Sequence, residues 1–193
     1  MGVAGPEVSA GVTQLIEQRD IAYHPQHQVS EVDPEMRMLK FSDGTEVAFD
    51  FLVYIPPHEA PAVVRESGLT NESGWVPVDR HSMETSHEGV FAIGDVTSIP
   101  LDMGLPLPKA GTFASGQAKV VAATIAARIT GRGNEGSFDG FGECVVETGD
   151  GRAGIGRGNF YGTPAPTVKL RGPGRTWHWA KVWFEWRFLR RQF

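Results

Sequence analysis

The 193-residue sequence predicts an α/β chain of α+β character, and three observations carry that expectation. Two continuous apolar runs, residues 51–55 and 90–93, stop at Pro56-Pro57 and at Gly94-Asp95, the pattern of buried strands. Residues 112–129 are rich in Ala, hold no Pro and a single Gly, Gly116, and end just before Gly131, where a left-handed stop belongs. Two Asp-Gly turns, Ser42-Asp43-Gly44 and Thr148-Gly149-Asp150-Gly151, each lie between short strand-like runs and read as hairpins.

The elements follow in order. Val8, Val12, Leu15 and Ile16 share a face and predict a helix over 7–19. Short strands are expected at 21–23 and 29–32, then a hairpin of 36–41 with 45–49, then the buried strand 51–55. Residues 58–88 read as loop-rich, and the prolines of 100–108 exclude regular helix there. Residues 131–136 form a linker, 143–147 and 152–158 a second hairpin, and 177–193 a terminal aromatic helix.

Bulk composition narrows the function. About 40% of the chain is apolar, an ordinary globular value. The net charge of −5 argues against broad nucleic-acid binding. The single cysteine, Cys144, excludes an intrachain disulfide and a multi-thiolate zinc cage. The six histidines form no ligand set at helical spacing, so no metal is expected. No run of 18 apolar residues spans a membrane, and the first residues lack the basic and apolar regions of a signal peptide.

The chemistry concentrates at residues 89–123. Gly89-Val90-Phe91-Ala92-Ile93-Gly94-Asp95 is an apolar run ending in Gly-Asp. Glycine lets a backbone approach a ligand closely, and a carboxylate accepts hydrogen bonds from sugar-like hydroxyls. Ligands of open α/β sheets bind beyond the carboxyl ends of strands. Leu107-Pro108-Lys109-Ala110-Gly111-Thr112 then leads into a helix bearing Gln117-Ala118.

A G-x-x-x-x-G-D block, a P-K-x-G segment and a Q-A helix, in that order, resemble the C-terminal half of the flavoproteins of the sulfide:quinone reductase and type II NADH dehydrogenase group. The upstream course through Asp43-Gly44, Asp50 and Pro57 agrees, as do Cys144, Glu147, Gly149, Lys181, Phe184 and Glu185 downstream. The resemblance implies parts of two Rossmann-like dinucleotide-binding domains, with a C-terminal hairpin and a terminal amphipathic helix. Residues 1–85 would be the end of the nucleotide-binding middle domain, 86–131 the second segment of the FAD-binding domain, and 132–193 the hairpin and a membrane or dimer-contact tail.

The same resemblance implies FAD, contacted by Gly94, Asp95, Lys109, Ala110, Gly111 and Thr112. A reduced flavin carries negative charge near N1 and the C2 carbonyl. The helix N-terminus at 110–113 would stabilise it, and Lys109 would add a cation. The expected activity is electron transfer from sulfide or NAD(P)H to a quinone. The alternative is a non-catalytic remnant that serves as an interaction or membrane-tethering module.

No strand–G-x-G-x-x-G–helix unit is identified, so the main pyrophosphate cradle is expected to be missing, and a missing N-terminal half or a homodimer would have to supply it. The string Gly154-Ile155-Gly156-Arg157-Gly158 lies in a hairpin and reads as structural. Sulfide-oxidising relatives use two cysteines flanking the flavin, and this chain has one. Cys144 therefore reads as a structural or surface thiol, with redox participation as its alternative.

The tail differs from the rest. From residue 175 onward five cations face one anion, leaving +4 there and −9 before it. Trp179, Val182, Trp183, Trp186, Leu189 and Phe193 fall on one helical stripe bordered by Lys181, Arg187, Arg190 and Arg191. Aromatics with cations fit a helix lying in a membrane interface. The expected localisation is therefore peripheral membrane or cytoplasmic. The alternative for the stripe is packing on the protein core or a second subunit.

Overall fold

The structure is a computed structural model that describes residues 2–192. Mixed helices and small sheets make an α+β arrangement, as the sequence predicts. The chain divides into two compact units, Thr13–His58 and a larger one of Met1–Val12 with Glu59–Phe193. Helix α1, Pro6–Glu17, runs from the larger into the smaller.

The smaller unit is an antiparallel meander of β1 (Val29–Asp33), β2 (Met38–Phe41) and β3 (Glu46–Ala48). Leu39 stands opposite Val32 on one side and Val47 on the other. Aspartates make both turns: Asp33 Oδ1 accepts the N–H of Glu35 and Met36, and Asp43 Oδ1 accepts that of Thr45. The Asp43-Gly44 hairpin thus forms where the sequence places it.

Two expected strands in this unit do not form. The N–H of Ile21 is taken by the carbonyl of Ile16 in the closing turn of α1, so residues 21–23 leave the helix as coil. Residues 51–55 are also coil, with Phe51 84% and Ile55 79% exposed. A run apolar on both faces becomes a strand only between neighbours, and no strand among the described residues pairs with it.

In the larger unit, α2 (Ala62–Glu66) precedes β4 (Val76–Pro77), which pairs in parallel with β5 (Thr97–Ser98). The expected strand 90–93 is reduced to one antiparallel bridge, Phe91 to Glu84. Gly89 turns the chain back at positive φ, so the run pairs with its own upstream neighbours for a residue or two and stays half-exposed. Helix α3, Gly111–Thr130, matches expectation, and Gly131 closes it with φ 64°. A second meander joins β6 (Phe141–Gly149), β7 (Arg152–Asn159) and β8 (Thr167–Gly174). Its first two strands are the expected hairpin. Helix α4, Arg175–Gln192, packs on this sheet, chiefly on β7.

The core of the unit gathers Met83, Ile99, Leu101, Leu107, Phe113, Phe138 and Phe160. Phe113 meets Phe160 and Phe138 edge to face, with ring centroids 5.0 and 6.4 Å apart. Gly116 is explained here. A Cβ at that position would lie 2.8 Å from the Phe138 ring, so Phe138 seats against α3 where the helix has no side chain.

Candidate functional site

The Gly94-Asp95 turn is a single turn of 3-10 helix, Gly94–Val96, entered from extended Ile93. Gly94 adopts φ 72°, a region that favours glycine, and a Cβ there would also crowd Ala114 of α3 at 3.3 Å. The turn is tied on three sides. The Gly94 N–H donates to Gln117 Oε1 at 2.6 Å. The Thr97 hydroxyl donates to the Gly94 carbonyl at 2.8 Å. The Lys109 ammonium donates to the Asp95 carbonyl and, at 3.4 Å, to that of Thr97.

Lys109 is therefore not a solvated loop lysine. Its ammonium also sits 3.4 Å from the centre of the Trp75 ring. Burial pushes its pKa down, while the nearby Asp95 carboxylate partly opposes that. Its charge serves the loop first, which differs from a cation offered freely to a ligand.

Opposite the turn, α3 begins. Ala110 takes the N-cap position in extended conformation, and no side chain caps the helix. Phe113 and Ala114 N–H groups donate to the Ala110 carbonyl. Gly111 and Thr112 precede them at the free end, where backbone N–H groups and the helix dipole favour negative charge. The Thr112 side chain turns away and donates to the Glu143 carbonyl of β6 at 3.0 Å.

These parts enclose a small cleft lined by Gly94, Asp95, Thr97, Leu107, Pro108, Lys109, Ala110, Phe113 and Gln117. Four of the six residues singled out from sequence line it, and Gly111 and Thr112 stand at its helical rim. Sequence reading did not single out Thr97, Leu107, Pro108, Phe113 or Gln117 as lining residues. Gln117 carries a signal, since it is the glutamine of the Q-A motif and a polar residue inside an Ala-rich helix. Cys144 lies elsewhere, exposed on β6, with its Sγ 3.9 Å from the Val145 carbonyl.

A clamp steadies the approach to the turn. Arg128 of α3 holds Glu84 through two bonds of 2.7 and 2.9 Å and Glu135 through two of 3.0 Å. Glu84 also accepts the Gly89 N–H at 2.7 Å. The Arg128 guanidinium, with that N–H, holds the Glu84 carboxyl down at about 2.

Two strings have the bare G-x-G-x-x-G spacing, Gly131 to Gly136 and Gly149 to Gly154, and sequence reading passed over both. The first follows the C-terminus of α3 and the second turns the β6–β7 hairpin. Neither leads a strand into a helix, so neither makes a phosphate cradle.

The cleft, a Gly-Asp turn facing an uncapped helix start, sits in a chain whose relatives are clear. The profile of the family described as pyridine nucleotide-disulphide oxidoreductase matches residues 1–126, and the chain belongs to that family. It is 24% identical over 161 residues to the mitochondrial sulfide:quinone oxidoreductase of Mus musculus, covering 80% of this chain and 34% of that protein. It is 31% identical over 114 residues to the mitochondrial sulfide:quinone oxidoreductase of Schizosaccharomyces pombe, covering 58% of this chain and 24% of that one. The X-ray structure of the sulfide:quinone oxidoreductase from Aquifex aeolicus superposes with a TM-score of 0.81 at 25% identity, over 97% of this chain and 46% of that chain. The chain thus spans about a quarter to a third of the length of the curated relatives it matches.

Proposed function

We propose that this chain forms the flavin-ring side of an FAD-dependent oxidoreductase that passes electrons from a reductant, sulfide or NAD(P)H, to a membrane quinone. On this reading residues 1–85 close the middle nucleotide-binding domain, 86–131 are the second FAD-domain segment, and 132–193 are the hairpin and docking tail. The observation that carries the reading is the cleft between Gly94-Asp95 and the uncapped start of α3.

The residues fit a flavin at its ring and ribityl end. Gly94 lets the turn take positive φ and seat closely against Ala114, which presents the turn's backbone at the cleft. The exposed Asp95 carboxylate is free to accept hydrogen bonds from ribityl hydroxyls. The N–H groups of Gly111 and Thr112 offer donors and positive potential where negative charge would develop. Lys109 holds the turn in place through its carbonyls. The flavin, when bound, supplies the capacity to accept electrons from a donor and pass them to an acceptor.

The exposed face of α4 supports the membrane part. Trp179, Val182, Trp183, Trp186 and Leu189 are all exposed, the opposite of what packing on the chain's own core requires. Arg187 and Arg190 lie over the Trp183 and Trp186 rings at 5.4 and 4.3 Å. No helix among the described residues is long and apolar enough to cross a membrane, so contact would be at its surface. The same face, with exposed 51–55, favours the second reading, a non-catalytic module for interaction or tethering.

Titrating the chain with FAD, FMN and riboflavin, followed by flavin fluorescence, tests the proposal. Saturable but weak binding is expected, with FAD no tighter than FMN, because no phosphate cradle is found among the described residues. Asp95→Ala should weaken it by roughly ten- to a hundredfold, the worth of one charge-assisted hydrogen bond. Nanomolar, FAD-selective binding would overturn the missing cradle. Absence of saturable binding for all three flavins would overturn the flavin site and leave the tethering module.

A further inference from the structure

Gln117 lies in the second turn of α3 and is only 1% exposed. Its amide orientation is fixed by chemistry. The Gly94 N–H is a donor, so the Gln117 atom 2.6 Å away is the oxygen. The nitrogen is then left with two N–H donors, and no acceptor among the described residues bonds to it. Nor is it sealed in, since the buried, unpartnered polar side-chain atom of the described residues is Arg80 Nε. The residue lines the cleft beside Asp95, Lys109 and Ala110.

We propose that Gln117 is a ligand-contacting residue of the cleft, whose Nε2–H donates to an acceptor oxygen or ring nitrogen of the bound flavin while its Oε1 holds the Gly94 turn. The inference rests on the flavin reading and adds a side-chain donor to the backbone donors at the helix start. A glutamine suits the position because one residue must accept on one side and donate on the other. Glutamate has nearly the same shape and would still accept the Gly94 N–H, but it would present an anionic acceptor to the cleft. A ligand that fills the cleft shuts this donor off from solvent, so a ligand whose acceptor meets it avoids the cost of leaving it unpaired.

The test is a titration of the full ¹⁵N-labelled chain with FMN, observed at the Gln117 side-chain amide and at the backbone amides of Gly94, Gly111 and Thr112. The Gln117 Nε2 protons are expected to shift on the same binding curve as Gly111 and Thr112. Gln117→Glu is expected to lower FMN affinity about tenfold or more, and to lower the unfolding midpoint as well, because the carboxylate is placed where Gln117 is 1% exposed. Shifts at Gly111 and Thr112 without any at Gln117, or wild-type affinity in Gln117→Glu, would overturn this proposal and leave the flavin reading standing. No shift at any cleft amide at saturating FMN would overturn the flavin reading and this inference with it. The wild-type titration decides the matter even if the variant folds poorly.

Discussion

Glu84 shows how single residues hold the candidate site without touching it. Its carboxylate takes two bonds from Arg128 and one from the Gly89 N–H, joining α3 to the turn that leads into Gly94-Asp95. Those partners lower its pKa from 4.5 to about 2. A depressed carboxylate stabilises the fold above its unfolded pKa and loses that contribution as pH falls through its folded value. The stability it contributes is therefore complete above about pH 4.5 and fades toward pH 2. Acid unfolding followed by circular dichroism should show Glu84→Gln less stable at neutral pH but with a shallower decline between those limits. Glu135, also held down by Arg128, keeps part of the slope. Parallel acid profiles for wild type and variant would show that the clamp contributes nothing in solution. None of this was visible in the sequence. Glu84, Arg128 and Glu135 stand 44 and 7 residues apart, and ion pairing at that separation depends on the fold.

At the scale of elements, period and punctuation were legible and partners were not. Helix α3 could be read because its Ala content, its lack of proline and Gly131 all act locally. The Asp43-Gly44 and Gly149-Asp150-Gly151 turns were readable for the same reason, since φ and Asx hydrogen bonds are set within a few residues. Strand β8 went unread, because Thr167–Gly174 carries two glycines and a proline and is held by pairing with β7. Helix α4 was foreseen, and its apolar stripe is exposed through Leu189, while Phe193 lies outside the described residues. Half-buried Trp177, His178 and Lys181 make its seat on the sheet, with His178 3.1 Å and Lys181 3.8 Å from Glu147. The exposed face should therefore be separable from the seat. Replacing Trp179, Trp183 and Trp186 by alanine should abolish co-sedimentation with anionic vesicles and leave the circular dichroism spectrum unchanged. Each nearby cation adds about 1 kcal/mol to such binding, so it should also weaken with salt. An intact chain that stays in the supernatant at low salt would assign the aromatic face to a protein partner.

Taken whole, the molecule has its apolar surface in unusual places. Residues 51–55 read as a strand buried on both faces, yet Phe51, Val53, Tyr54 and Ile55 are exposed and the segment is coil. Sequence reading makes this a buried strand, because alternation is absent and Pro56-Pro57 ends the run. It failed on the state because a strand's burial depends on neighbours that no local signal records. An extended apolar segment with unpaired backbone groups is a template for pairing with another chain. It contributes little to the two compact units as they stand, since exposed side chains give back no burial energy. Replacing Phe51, Val53 and Ile55 by serine should therefore change the stability measured by urea unfolding by no more than about 0.5 kcal/mol per site, the range for surface substitutions. The same variant should associate less in sedimentation velocity, because the template is gone. A large loss of stability would mean that the segment is packed in solution and that the sequence's buried strand is real. Unchanged association would move the sticky surface to α4, whose tryptophans are also exposed.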